Sequence, residues 1–329
     1  GSSAADATRG ADPGSTADRP LRHTPVGPVP AVAPISTFGP DGERIDPIES
    51  LQAMLDAGEV TFSHDPVTGW LPSVLSALDI PLSSQVLIFS STSLQTEWIA
   101  PWSPRAVYFN DDVYIGFVGD DTQPMDERIL EVAGIHPEDG GAFYFLSLNP
   151  DREPTFVRDD PTCLGCHEAG VTEDVPGVMV RSTLTDRMGR PILTREGPTT
   201  DRTPMHERFS GWYVTGTGGG VHGGNVWSPD LFSEIDIAQR ARYADAFDFS
   251  DGADVTDLSD RFDTSVYLSE HSDIVALLVL AHQTRVHNLI TVAHEGTNTA
   301  LRQQDAARVT RGLDIAEGEL LPTTDVAID

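Results

Sequence analysis

Cys163-Leu164-Gly165-Cys166-His167 holds the most chemistry in this chain, because C-x-x-C-H is the pattern through which a c-type haem is attached covalently. Two thiols one short turn apart can each add to a vinyl group of the same porphyrin. The adjacent imidazole then reaches the iron as its proximal ligand. These are the only two cysteines among 329 residues. A closed zinc site would need four Cys or His ligands, and no second C-x-x-C or spaced His pair accompanies the first. A redox dithiol normally sits between a strand and a helix of a thioredoxin-like pattern, whereas acidic and glycine residues follow here. A disulfide across two intervening residues would be strained. One haem c, held by Cys163, Cys166 and His167, is the expected cofactor.

What the haem would do depends on the iron's other face. Met or His there favours electron transfer, and an open face favours peroxide or gas chemistry. His222 is the first candidate, since the glycines of Gly218-Gly-Gly-Val-His-Gly-Gly-Asn225 would let backbone approach a flat macrocycle. A surface loop histidine is its plain alternative. His282 lies at helical spacing with Leu278, Val286 and Leu289, where a histidine is more often a satisfied core residue. Met205 could offer a thioether, although methionines usually fill cores. Met179, Met188 and His206 are the remaining outsiders.

The elements that must position these groups read as α+β. Helical patterns at Ile48 to Ala57 and Leu71 to Leu78 give way to the short apolar runs Gln85 to Ser90, Ala106 to Phe109, Val113 to Val118 and Ala142 to Leu148. Those runs read as strands, with Asn110-Asp111-Asp112 as a hairpin turn. The haem motif follows, then a Gly- and Pro-rich region to about 228 suited to enclosing a cofactor. Helices are expected at Leu231 to Ala246 and from Ser272 or Asp273 to about Ala293, separated by an acidic loop from Asp248 to Asp263. That loop is not an EF-hand, because its Gly252 would put Phe247 at the first ligand position. The expectation is a strand-rich N-terminal half, a loop-rich haem region and C-terminal helices in one domain over 36–329. It does not match a small all-helical cytochrome c.

Residues 1–35 carry six prolines among small and polar residues and read as a disordered tether. Gly1-Ser2-Ser3 is either an expression scar or the start of a lipid-anchored chain. No leader precedes it, which leads to the expectation that any secretory signal has been removed. No apolar run reaches the ~20 residues of a membrane span.

Acids number 51 against 21 basic residues, all Arg, for a net charge of -30. That balance excludes nucleic acid as a partner and favours a basic redox protein if steering is electrostatic; a solubilising acidic surface is the plainer reading. Against this background Arg181, Arg187, Arg190, Arg195, Arg202 and Arg208 cluster in a segment with only four acids. They are candidates to hold the haem propionates by bidentate pairing, or else form ordinary surface ion pairs.

Together with Cys163 to His167, the stretches Trp212-Tyr-Val-Thr-Gly-Thr-Gly218, His222-Gly-Gly-Asn225 and Ser272 to Gln283 resemble an uncharacterised family of bacterial extracytoplasmic monohaem proteins, from about Gln85 to Thr291. Gly218 and Gly223 depart from that family's His and Met, whereas His222 and His282 are retained. The resemblance implies a periplasmic or extracellular, membrane-tethered or free, monohaem c-type cytochrome. The leading expectation is a carrier of single electrons between redox proteins rather than an enzyme. The rivals are a haem enzyme or gas sensor with an open sixth site, where Arg208 or His206 assists, and a haem subunit of a membrane-bound respiratory or photosynthetic complex.

Overall fold

The computed structural model describes residues 38–310 except 40, 120 and 121. The Pro-rich segment 1–35 lies outside the described residues. Helix α1 (Pro47–Asp56) begins where Asp46 accepts the N–H groups of Ile48 at 2.8 Å and Glu49 at 3.3 Å, with Pro47 preset for the first turn. Helix α2 (Leu71–Ala77) follows. Six strands come next: β1 (Val86–Ile88), β2 (Arg105–Phe109), β3 (Val113–Val118), β4 (Ile129–His136), β5 (Gly140–Ser147) and β6 (Phe156–Arg158). After them lie α3 (Asp160–His167), β7 (Thr183–Thr185), β8 (Pro191–Thr194), β9 (Trp212–Tyr213), α4 (Arg240–Asp245) and α5 (Ile274–Thr310).

The main sheet has seven antiparallel strands in the order β6-β5-β4-β3-β2-β1-β9, and β7 pairs with β8 separately. The protein is α+β and not all-helical. Every residue of β3 is buried, because both faces of the sheet are covered. One face, with Tyr108, Ile115, Phe117, Leu130 and Leu146, packs with α1 and α2 residues such as Ile48 and Leu71. The other, with Val107, Phe109, Tyr114, Ala133 and Phe143, packs under Leu277, Leu280 and Ala281 of α5. Asp46 joins α1 to the sheet, since its second oxygen accepts Tyr144 Oη at 2.6 Å. The β2–β3 turn forms at Asn110, whose Oδ1 accepts the N–H groups of Asp112 and Val113.

Two helix expectations need correction. Leu231 to Ala246 is helical only in α4 and the 3-10 turn before it. Upstream, Glu234 N–H closes a single turn on Leu231 O, and the backbone leaves the helical region at Asp236 (ψ 129°), whose side chain caps the 3-10 turn. Helix α5 runs past Ala293 to Thr310. Gly296 costs about 1 kcal/mol there, but Ala, Leu, Gln and Arg follow it and no Pro intervenes.

Asp186 is fully buried and accepts Met188 N–H at 2.8 Å, Arg190 N–H at 3.0 Å, Phe232 N–H at 3.1 Å and the Arg190 guanidinium. Burial pushes its pKa up, but these hydrogen bonds outweigh it and leave the carboxyl below its ordinary value. A depressed folded pKa contributes stability above the unfolded value, and that contribution disappears as pH falls through the folded one. Asp186→Asn is therefore expected to cost about 2 kcal/mol at neutral pH. In urea titrations its deficit against the unaltered protein should shrink below about pH 4. A pH-independent deficit would contradict this account.

Candidate haem site

Helix α3 carries both cysteines and His167, and starts after Phe156–Arg158 returns the chain along the edge of the sheet. Asp160 fixes the start, its Oδ1 accepting Phe143 N–H at 3.1 Å and its Oδ2 the Arg158 Nε at 2.6 Å. No residue of α3 is buried, although Cys163 and Leu164 rest partly against the apolar cluster of Phe143, Ala133 and Val178. Both thiols are free; Cys163 is half-buried and Cys166 exposed. Gly165 between them faces open space.

His167 is held in one orientation. Its ring lies 4.6 Å from that of Phe143, and Nδ1 stands 2.8 Å from Gly177 O. A carbonyl only accepts, so the proton is on Nδ1 and the lone pair on Nε2, which makes no hydrogen bond among the described residues. Burial lowers the ring's pKa; the Gly177 carbonyl and Glu131 oppose this and Arg105 adds to it. The imidazole is thus neutral at neutral pH, as iron ligation requires. A backbone carbonyl on the far nitrogen of a metal-binding histidine is the usual supporting contact.

Cys163 differs from a redox thiol. Its pKa is pushed up to about 11 by burial and then by the negative charges of Asp159, Glu131 and Asp160 and the neighbouring Cys166. Disulfide exchange needs a thiolate, and this surrounding suppresses it. Among the described residues, no group of three His, Cys, Asp or Glu side chains is gathered as a zinc shell would need.

Beside the motif a cation lies flat on the sheet. Arg105 of β2 reaches across β3 to Glu131 of β4, its Nη1 2.9 Å from the carboxylate, while Gln95 Nε2 donates to Glu131 at 3.2 Å. Gly116, paired with Glu131 in the register, leaves the room; a Cβ there would fall 2.5 Å from Arg105 Nε. That Nε is buried without a partner. Free thiols one turn apart, a neutral imidazole with an open Nε2 and an incompletely bonded guanidinium together fit a covalently attached haem bearing carboxylates. Arg105 lay outside the arginine cluster that drew attention in the sequence, and nothing in a strand residue signals its reach.

The arginine cluster is largely engaged elsewhere. Arg190 pairs with Asp186 and Arg195 with Glu207. Arg208 donates to the carbonyls of Thr203 and Asp201, and Arg181 donates through one Nη to that of Arg195, while its Nε, like that of Arg105, is buried without a partner. Arg187 and Arg202 are exposed.

Nor are the candidate sixth ligands gathered at His167. His222 is 2% exposed and sits by β9, where Asn225 N–H bonds Trp212 O at 2.9 Å. Helix α3 packs on β5, five strands away, a separation of about 24 Å. Helix α5 gives a similar measure: Ile274 N–H bonds Thr215 O beyond β9, whereas Asn288 meets Val178 beside His167, a rise of about 21 Å. Gly224 N–H also donates to His222 Nδ1 at 3.1 Å, which puts the neutral ring's proton on Nε2 and closes that atom to a metal. Burial lowers the ring's pKa against the pull of Asp254. His282 is 61% exposed on its side chain, with Nδ1 3.5 Å from Asp201. Met205 packs at the Ile274 end of the cluster, and His206 faces Glu207. Met179 is half-buried and Met188 is exposed.

No family model, curated protein or solved structure matches this chain. Among the described residues no helix is long and apolar enough to cross a membrane.

Proposed function

We propose that the protein is an extracytoplasmic monohaem c-type cytochrome that transfers single electrons. Cys163 and Cys166 bind the porphyrin covalently, His167 Nε2 takes the iron, and Arg105 is placed for a propionate. The observation that carries this reading is the His167 ring, fixed through Nδ1 by Gly177 and open at Nε2, on the same turn of helix as two free thiols. When bound, the haem supplies the one-electron couple. The chain's residues hold it at the surface, since α3 buries none of its side chains, and a surface position suits exchange with a redox partner. The net charge favours a basic one.

A second reading has its own support. Among the described residues none of His222, His282 and Met205 is gathered at His167; an iron held there without a sixth protein ligand would be open to water, peroxide or a diatomic gas, and the protein would then be a haem enzyme or sensor. Optical and EPR spectra of protein matured with covalent haem separate the two. A low-spin ferric spectrum indifferent to carbon monoxide on reduction supports the carrier, and a high-spin spectrum that shifts supports the second reading. A protein that matures without haem overturns both. His222→Ala is expected to leave either spectrum unchanged, because its loop lies beside β9, five strand spacings or about 24 Å along the sheet from the strand that carries α3; a loss of low-spin character would reverse that assignment.

A further inference from the structure

Tyr114 of β3 and His287 of α5 form a pair that the haem reading does not use. Tyr114 Oη lies 3.0 Å from His287 Nδ1 and accepts Gln283 Nε2 at 2.9 Å. The Gln283 amide can only donate through that nitrogen, so the phenol oxygen accepts there, and in the His287 tautomer protonated at Nε2 the phenol's own proton is donated to Nδ1. Among the described residues the other tyrosines are bound differently. Tyr108 donates to an amide, Tyr144 to a carboxylate, Tyr213 and Tyr267 to carbonyls, and Tyr243 meets Ser228 and Asp230.

The pair is set for proton transfer. Burial holds Tyr114 protonated and lowers the pKa of His287, giving a neutral acceptor, while Asp112 and Asp111 would stabilise an imidazolium once formed. Its place in the sheet is also suggestive. Tyr114 pairs with Ala133, Ala133 pairs with Phe143, and the Phe143 ring touches His167. Two strand spacings, about 10 Å of packed sheet, separate the Tyr114 and Phe143 backbones.

We propose that Tyr114 is a redox-active tyrosine whose phenolic proton is taken by His287, forming a relay from the haem neighbourhood to α5. On oxidation the Tyr114 O–H bond breaks, one electron goes to the oxidant, and the proton forms an N–H bond at His287 Nδ1. A neutral tyrosyl radical and an imidazolium result, and reduction returns both particles. The oxidant must be a one-electron acceptor stronger than ferric haem, of the class generated when hydrogen peroxide reacts with a haem protein. The connection to haem rests on the second reading of the proposed function, a haem with an open sixth position that reacts with peroxide; the Tyr–His step does not.

The test uses the full chain with photogenerated tris(bipyridine)ruthenium(III) as oxidant, followed by EPR and transient absorption. A neutral tyrosyl signal is expected that Tyr114→Phe removes, and His287→Leu should slow its formation by about a hundredfold. An unchanged signal in Tyr114→Phe, or an unchanged rate in His287→Leu, overturns the proposal. If Tyr114→Phe does not fold, the His287 variant alone decides. Hydrogen peroxide added to the haem-loaded protein forms the second arm. A radical with ruthenium but none with peroxide rejects the haem connection alone, and a missing haem mass rejects the haem reading without touching the ruthenium result.

Discussion

Replacing both Cys163 and Cys166 with serine is expected to abolish the covalent haem, so that the denatured protein loses one haem mass and its absorbance follows the free porphyrin into organic solvent. The single variants should each keep one thioether and carry haem in reduced yield. Serine preserves the size of the side chain, and neither residue is fully buried or disulfide-bonded, so the fold should survive. Surface substitutions of this sort usually lie within about 0.5 kcal/mol of neutral. His167→Ala separates attachment from ligation: the mass should persist, while the iron spectrum changes because the neutral Nε2 is gone. A double serine variant that retained covalent haem would sink the assignment of the motif. Retention of the original spectrum in His167→Ala would sink the assignment of the iron ligand.

The sequence exposes some of this architecture and conceals the rest for physical reasons. Val113 to Val118 announces itself as an uninterrupted apolar run, and Asn110 announces the turn before it. Strand β4 is quieter, because it places Glu131 on a covered face where a hydrophobic residue would normally sit, and Gly134 interrupts it. Gly134 is small because Asp46 lies over it; a Cβ there would fall 2.7 Å from the carboxylate. Strand β9 has only two residues, Trp212 and Tyr213, too few for any period to appear. The helix expected over Leu231 to Ala246 was apolar enough to suggest one, but the chain makes a single turn from Leu231 to Glu234 and leaves helical backbone at Asp236 before α4.

The C-x-x-C-H motif is legible because the chemistry proposed for it requires cysteine and histidine side chains at fixed spacing. Its support is not, because a backbone carbonyl at Gly177 and an arginine reaching over Gly116 leave no such trace. His222 drew attention through its glycine-rich loop. In the structure those glycines instead admit close backbone packing: a Cβ on Gly224 would fall 2.4 Å from Val214 Cγ2, and one on Gly223 would meet Ser210 and the Arg208 carbonyl.

Asn288 is the residue through which α5 acts on His167, the proposed iron ligand, and its removal should have the second large effect. Its Oδ1 accepts Val178 N–H at 3.2 Å and its Nδ2 donates to Val178 O at 2.9 Å, a two-point clamp that is 3% exposed. Gly177, the preceding residue, lies so close that a Cβ would collide with the Asn288 amide. Gly177 also donates its N–H to His167 O at 2.8 Å and offers its own carbonyl to His167 Nδ1. The clamp therefore fixes the peptide that fixes the imidazole. Asn288→Ala leaves a buried N–H and C=O unpaired and should destabilise the protein by about 2 kcal/mol. Loosening the support of a metal-bound histidine weakens the metal's hold by about 10- to 100-fold. The haem should remain attached through its thioethers, yet exogenous imidazole should displace His167 at lower concentration than in the unaltered protein. Asn288→Asp keeps an acceptor for Val178 N–H but loses the donor to its carbonyl, so it should recover only part of the stability. Gly177→Ala should reproduce the ligand displacement while leaving Asn288 itself intact, because the added methyl pushes the same peptide away from the helix. If Asn288→Ala lost stability but kept the original imidazole affinity, the clamp would be structural only, and His167 would be oriented by Phe143 and the Gly177 carbonyl without help from α5.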